Sequence, residues 1–310
     1  MPLRRIKNDT ADTLTLEWVL HVKNYKLTHD RKRCVGCEIC TLACPKEAIK
    51  LEKQPKTSGG KATKARVDVD LEKCNFCGIC DAACPFGAMR ITLDGQHVVS
   101  VVEKESFPQL TRNIQIDTGK FDMSRIDVEK ACPLGLIRVN WSTADGKPLE
   151  GSSANISEEI HDVRANFELD KDHCPCCRVC EYEMPEGVIQ VRKFVNGKID
   201  IRAEKCPEGC KACLDVCPIP GALYLSNEEK KVRPNETFCV YCGACRAACP
   251  VEGALDLKRT SIIHSPVRSG AWNKALERLT SPTDMAKELK SKRSLKATQS
   301  VKDRMALKED

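Results

Sequence analysis

Twenty-one of the 310 residues are cysteine, several times ordinary usage, and twenty of them fall into sets with recurring gaps. Four stretches carry the spacing Cys-x2-Cys-x2-Cys-x3 and one carries Cys-x3-Cys-x2-Cys-x3. Clustered thiols can form disulfides, hold zinc or hold iron–sulfur clusters. Disulfide density belongs to small exported chains, and a chain this long points to metal instead. A zinc ribbon uses isolated Cys-x2-Cys pairs at longer separation. Two-residue gaps let a tight loop present three thiolates to the corners of a 4Fe-4S cubane, and the three-residue gap turns a fourth side chain away, with proline ending the local N–H donors. The spacing therefore implies 4Fe-4S clusters.

The first run, RCVGCEICTLACPKEAI, holds Cys34, Cys37, Cys40 and Cys44, and the second, KCNFCGICDAACPFGAM, holds Cys74, Cys77, Cys80 and Cys84. Both match the bacterial ferredoxin run, in which the fourth cysteine serves the other cluster. One set is then Cys34, Cys37, Cys40 with Cys84, and the other Cys74, Cys77, Cys80 with Cys44. The last two runs, KCPEGCKACLDVCPIPGAL and FCVYCGACRAACPVEGAL, exchange donors in the same way. They give Cys206, Cys210, Cys213 with Cys249, and Cys239, Cys242, Cys245 with Cys217.

Between these pairs stands a pair broken in complementary places. HCPCCRVCEYEMPEGVI keeps Cys174, Cys177 and Cys180 but has Met184 where the fourth thiolate belongs. MSRIDVEKACPLGLI keeps only Cys132, before Pro133. The two losses describe one absent site, which frees Cys132 to complete Cys174, Cys177 and Cys180 and brings the count to five clusters. The alternative reading makes Cys132 an ordinary core thiol beside a three-cysteine site. Cys176 falls out of phase and reads as a buried thiol that binds nothing, and His173 reads as a surface neighbour of Cys174.

On these motifs, spread over residues 25–260, the chain resembles the polyferredoxins, tandem arrays of dicluster ferredoxin modules. Within that group it is similar to the multi-cluster F subunit of formylmethanofuran dehydrogenases, which carries more clusters per chain. The resemblance implies an α+β fold of tandem β-α-β-β-α-β ferredoxin-like modules of the bacterial 2[4Fe-4S] type. It also implies relay of single electrons to or from a larger redox enzyme or other electron-transfer proteins, with no small-molecule substrate.

The elements that must position the loops are short. ARVDVDLEKC, AMRITLDG, ANFELDKDHC, VIQVRKF, KIDIRAEKC and ALYLS read as strands beside the loops, and Asp94-Gly95 and Asn196-Gly197 as turns joining strands. Three modules are expected at residues 25–95, 110–195 and 197–260, the middle one with a single cluster. Residues 1–24 form an extension in which Leu14, Leu16, Trp18, Leu20 and Val22 alternate as an added strand. PKTSGGKATKA and the polar stretch from Thr143 to Ser157 read as mobile insertions. Residues 261–310 read as a helical basic tail, with Trp272, Leu276 and Leu279 on one face and a helix start at Ser281-Pro282-Thr283-Asp284 before Met285 and Leu289. From Lys258 onward thirteen Lys or Arg face six Asp or Glu, net +7; the whole chain is +6, so the preceding 257 residues sum to −1. The tail is expected to dock on a partner or to be solvated.

Composition narrows the classes further. Aromatic residues make up only 5%, so the metal groups must supply much of the core, and Val35, Ile39, Phe76, Ile79, Val179, Leu214 and Tyr241 within the loops can exclude water from the sulfurs. No apolar run approaches the roughly 20 residues of a membrane span. Arg4-Arg5 is followed by polar residues and not by the apolar core of a signal segment; the expected compartment is the cytoplasm. The Cys206-x3-Cys210-x2-Cys213 spacing also occurs in enzymes that bind S-adenosylmethionine on an open iron, but here Cys217-Pro218 follows at once. Neither a phosphate loop, a GxSxG elbow, an HExxH pair nor a nicotinamide fingerprint is present. Two rivals to an electron carrier are an oxidoreductase subunit with its own active site and a nucleic-acid-associated protein with structural clusters. Scarce aromatics count against the latter.

Overall fold

Alternation of apolar and polar residues organises the first stretch of chain. In the computed structural model, which describes residues 4–54, 60–120, 128–143, 145, 147–149, 163–228, 230–267 and 269–280, β1 (Arg4–Asp9), β2 (Thr13–Val19) and β3 (Asn24–Asp30) form an antiparallel meander. After α1 (Ile39–Ala43), β4 (Ile49–Glu52), β5 (Arg66–Val69) and α2 (Ile79–Ala82), the strand β6 (Met89–Leu93) returns to pair with β3. A hairpin then leads to β7 (Gln96–His97), so the sheet order is β1-β2-β3-β6-β7. Its inner face is built from cross-strand rows: Leu14, His29 and Met89 in one, Leu16, Leu27 and Ile91 in the next, all buried. Meanwhile β4 pairs with β5, setting Ile49 against Val69 and Leu51 against Val67.

The alternation read as an added strand is β2, which ends at Val19; Val22 lies past the strand and is 87% exposed. β1 had no such signal, because its burial pattern is nearly all exposed. Asp94-Gly95 makes the expected turn between β6 and β7, both residues with positive φ (52° and 84°), the conformation a two-residue hairpin loop demands.

The middle stretch runs through α3 (Ser100–Glu103), β8 (Asn113–Ile116), β9 (Ile137–Thr143), β10 (Pro148–Leu149), β11 (Val163–Leu169), α4 (Val179–Glu183) and β12 (Ile189–Arg192). Again the outer strands pair, β8 with β12, and the inner strands pair, β9 with β11. β10 adds to the edge of β9. Before β9, a 3-10 turn over Val128–Ala131 precedes Cys132. Of the two stretches read as insertions, residues 55–59 and most of 143–157 lie outside the described residues.

In the last stretch β13 (Val195–Ile201) and β16 (Leu255–Ile262) pair around α5 (Ala212–Asp215), the hairpin of β14 (Leu223–Leu225) with β15 (Val232–Pro234), and α6 (Ala244–Ala248). Here the Asn196-Gly197 expectation fails: both residues lie inside β13, with a register shift between them. An Asn-Gly pair turns the chain when its flanks fold on each other, but these flanks pair with β16 instead. Gly197 is there for room, since a Cβ at that position would stand 2.3 Å from the Lys258 carbonyl oxygen.

The chain after β16 folds back on its beginning. α7 (Gly270–Thr280) buries Trp272, Ala275 and Leu279 and packs on α1 and β16. Trp272 meets Phe107 edge to face at 5.1 Å, and its indole N–H donates to His264 Nε2 at 3.0 Å. Arg278 donates to the Cys44 carbonyl at 3.1 Å and to Glu47 at 2.9 Å. The first helix of the tail thus docks on this chain itself. The helix start at Ser281-Pro282-Thr283-Asp284, with Met285 and Leu289, lies outside the described residues. Among the described residues no helix is long and apolar enough to cross a membrane.

Candidate metal centres

Each cysteine loop is shaped by one unusual backbone residue. The residue just before the second cysteine takes positive φ in all five loops: Gly36 (70°), Phe76 (56°), Cys176 (57°), Gly209 (67°) and Tyr241 (50°). The bend aims a backbone N–H at the first thiol. The Gly36, Cys176 and Tyr241 N–H groups each lie 3.4 Å from the sulfurs of Cys34, Cys174 and Cys239. Such N–H groups favour the ionised form of a sulfur. Cys176 therefore holds a conformational position in its loop. It is fully buried, and its thiol is held protonated by its contact with Cys174 and by burial.

The cysteines that follow the short helices are held differently. Cys84 receives the Ala88 N–H at 3.2 Å and Cys132 the Leu136 N–H at 3.4 Å, each from four residues on. Cys132 thus stands in its Cys-Pro turn as Cys84 does in its own. Met184, at the corresponding point after α4, is buried.

The thiols fall into groups that cross between runs. Burial pushes Cys40 up, with Cys84 and then Cys34 adding to it. Cys74 and Cys77 both lie in the field of Cys44. In the middle stretch burial raises Cys177 to about 11 and Cys180 to about 12, and both feel Cys174 and Cys132. Burial likewise takes Cys213 to about 12, with Cys210 and Cys249 contributing, and Cys206 feels the same two. Cys242, also raised by burial to about 12, lies in the field of Cys217 and Cys239. Cys245, buried, feels Cys242, Cys239 and Cys217. Among the described residues no group of three or more His, Cys, Asp or Glu could hold a single metal ion. Four sulfurs around a cubane form a wider cage than four around one zinc, whose Zn–S bonds are about 2.3 Å. Buried sulfurs, N–H donors aimed at them and loops lined by Ile39, Phe76, Ile79 and Tyr241 suit a four-iron cluster.

The loops of the first and last runs are joined. Glu38, next to Cys37, accepts from the Arg246 side chain, with Nε 3.0 Å from Oε2, and from Arg259 at 2.9 Å. The fully buried Arg259 also donates to the carbonyls of Tyr241 (2.7 Å), Cys242 (2.9 Å) and Leu279 (3.0 Å). Arg259 thus links the residue beside Cys37 to the Cys242 carbonyl. Burial drives the Cys37 thiol well up, and the next contribution comes from Cys242. Lys193 tethers the middle stretch to the same place through the Glu236 carbonyl and the Cys239 carbonyl at 2.8 Å. Sequence reasoning missed Glu38, Arg246 and Arg259, because no local spacing signals a pair 208 residues apart.

Where the three stretches face one another there is an open cleft of about 830 Å³, lined among others by Lys32, Arg33, Cys34, Lys64, Arg138 and Pro218. His173 lies on its wall, bonded to Asp170 at 2.6 Å and pressed against Gly87. It is a packing residue between stretches as well as a neighbour of Cys174.

Two spans, residues 33–88 and 198–250, match families described as 4Fe-4S dicluster domain. Each takes in eight of the cysteines. The chain is also similar to one in the formate dehydrogenase–heterodisulfide reductase–formylmethanofuran dehydrogenase complex from Methanospirillum hungatei. The likeness covers 90% of this chain and 92% of that one, at 29% identity and a TM-score of 0.75. The chain is a polyferredoxin-like protein. As a polyferredoxin-like chain with 4Fe-4S domains throughout its two matched spans, it functions in electron transfer. Cys132, Cys174, Cys177 and Cys180 lie outside both spans.

Proposed function

We propose that the chain holds five 4Fe-4S clusters and relays single electrons within a larger redox assembly, without catalysing a reaction of its own. The ligands are Cys34, Cys37, Cys40 and Cys84; Cys44, Cys74, Cys77 and Cys80; Cys132, Cys174, Cys177 and Cys180; Cys206, Cys210, Cys213 and Cys249; and Cys217, Cys239, Cys242 and Cys245. The observation that carries this reading is the crossing of thiols between runs: Cys84 lines one cavity with Cys34, Cys37 and Cys40, Cys44 another with Cys74, Cys77 and Cys80, and Cys217 a third with Cys239, Cys242 and Cys245. When bound, such clusters accept and release single electrons at potentials set by hydrogen bonding and burial. This chain's residues bury the sulfurs, aim N–H groups at them and keep water out.

On this reading residues 25–95, 110–195 and 197–260 are three tandem ferredoxin modules, residues 1–24 an extension and 261–310 a basic helical tail. The repeated pairing of outer with outer and inner with inner strands supports the division. The middle module keeps one site of two. The Arg259 bridge from Glu38 to the Cys242 carbonyl supports passage of electrons between the first and last modules. The open cleft at Cys34, lined by Lys32, Arg33, Lys64 and Arg138 and by Glu168, Asp170 and Asp215, offers a partner's redox group access to the first module. By likeness to the Methanospirillum hungatei assembly, the partner is a complex of formate dehydrogenase, heterodisulfide reductase or formylmethanofuran dehydrogenase type. Unpaired thiols in such number fit a reducing cytoplasm.

Anaerobic purification with iron and sulfide analysis tests the count. About twenty irons per chain are expected from five four-iron clusters, and about sixteen would remove the middle set. Mass spectrometry of what co-purifies tests the assembly.

A further inference from the structure

Four strands enter their cysteine loops on an apolar side chain, and one does not. Five positions before the first cysteine of the successive runs stand His29, Val69, Leu169, Ile201 and Pro234. His29 and Val69 occupy equivalent places at the ends of β3 and β5. Each lines the small cavity at its own sulfurs, His29 beside Cys34, Cys37, Cys40 and Cys84, and Val69 beside Cys44, Cys74, Cys77 and Cys80. The fold accepts an apolar group at this spot, so the imidazole is not there for folding.

The ring is 1% exposed, and among the described residues neither Nδ1 nor Nε2 has a hydrogen-bond partner. Its row neighbours Leu14 and Met89 supply no strong acceptor. A buried donor left unmade costs its full desolvation, and each such group in a folded chain calls for an explanation. The other side chains lining the cavity are aliphatic, aromatic or sulfur-bearing, so sulfur is the acceptor within reach. An imidazole carries at least one N–H to give in either protonation state.

We propose that His29 donates its ring N–H to a sulfur of the cluster held by Cys34, Cys37, Cys40 and Cys84, thiolate or sulfide, and so raises the reduction potential of that site. The inference rests on the four-iron reading of this set. Reduction adds negative charge to the sulfurs, and a donor aimed at them favours the reduced form. One electron leaves a neighbouring cluster and arrives here with no proton taken up, the ring keeping its own. The favoured site is the one beside Cys242, so electrons collect where the first and last modules meet.

The test uses the full chain, loaded anaerobically and labelled with nitrogen-15 in histidine. Iron and sulfide analysis comes first. A chain lacking iron at this set overturns the four-iron reading, and the role of His29 with it. In the loaded, reduced chain, pulsed EPR should detect a nitrogen-15 coupling that His29→Val abolishes. EPR-monitored redox titration of His29→Val should find one potential moved downward and the others in place, and His29→Gln, which keeps an N–H, should recover part of the shift. Full iron with no nitrogen-15 coupling in the unmutated chain overturns the hydrogen bond without any variant. Full iron with unmoved potentials in His29→Val overturns the tuning.

Discussion

The carboxylate of Glu38 and the guanidinium of Arg259 meet at 2.9 Å, 221 residues apart in the chain, and the arginine side chain has no exposed surface. Arg259 spends its other donors on three backbone carbonyls, so among the described residues Glu38 is the carboxylate that pairs with both Arg259 and Arg246. Removing one partner of a buried ion pair costs about 3–5 kcal/mol, because it strands the other. Glu38→Ala is expected to destabilise the loaded chain by about that much in anaerobic denaturant unfolding. Adding Arg259→Met should recover part of the loss; a double variant no better than the single one refutes a stranded charge.

Cys132 and Cys176 separate ligation from burial. Cys132→Ala is expected to remove up to about four irons per chain, while Cys176→Ala leaves the count unchanged. Cys176 contributes packing and a left-handed backbone, and its loss should cost only about 1 kcal/mol. Equal iron loss in both variants refutes the assignment.

Two glycines at the same loop position differ in surroundings. A Cβ on Gly36 would lie 2.6 Å from the Ala65 carbonyl oxygen and 2.7 Å from its nitrogen, whereas one on Gly209 would meet nothing within 4 Å. Both have positive φ, so alanine at Gly209 should cost about 1 kcal/mol of backbone strain. Alanine at Gly36 must also push a backbone segment aside, and should lower the iron content of the first module. Visible absorption per chain compares the two.

Iron removal tests how far the clusters serve as core. The sulfurs of Cys37, Cys40, Cys177, Cys242 and Cys245 are buried among the loops' apolar residues, and metal binding by such sites is coupled to folding. Anaerobic chelation should collapse near-UV circular dichroism and amide protection around the loops. The β1–β2–β3–β6 sheet, with its own rows of buried leucine and isoleucine, should lose protection last. Uniform loss across all sheets argues against that order.

Much of the strand pattern was legible because each cysteine loop is flanked by short alternating runs, and those runs became β5, β6, β11, β12, β13 and β14. Where local pattern and distant pairing disagreed, pairing won: Asn196-Gly197 has the composition of a turn, but its neighbours pair with β16. β1 was illegible since an exposed edge strand needs no apolar alternation. The junction of Glu38, Arg246 and Arg259 could not be read at all, because each residue alone is an unremarkable surface charge, and only the fold brings them together.

That junction sets a timetable for synthesis. Glu38 leaves the ribosome 208 residues ahead of Arg246, an interval of roughly 10–40 s at about 5–20 residues per second. Throughout it, the loop carrying Cys37 lacks the wall that later shields it, and any iron already delivered there faces oxygen and water. Closure of the first cysteine loop against solvent therefore waits on the last stretch of chain to be made.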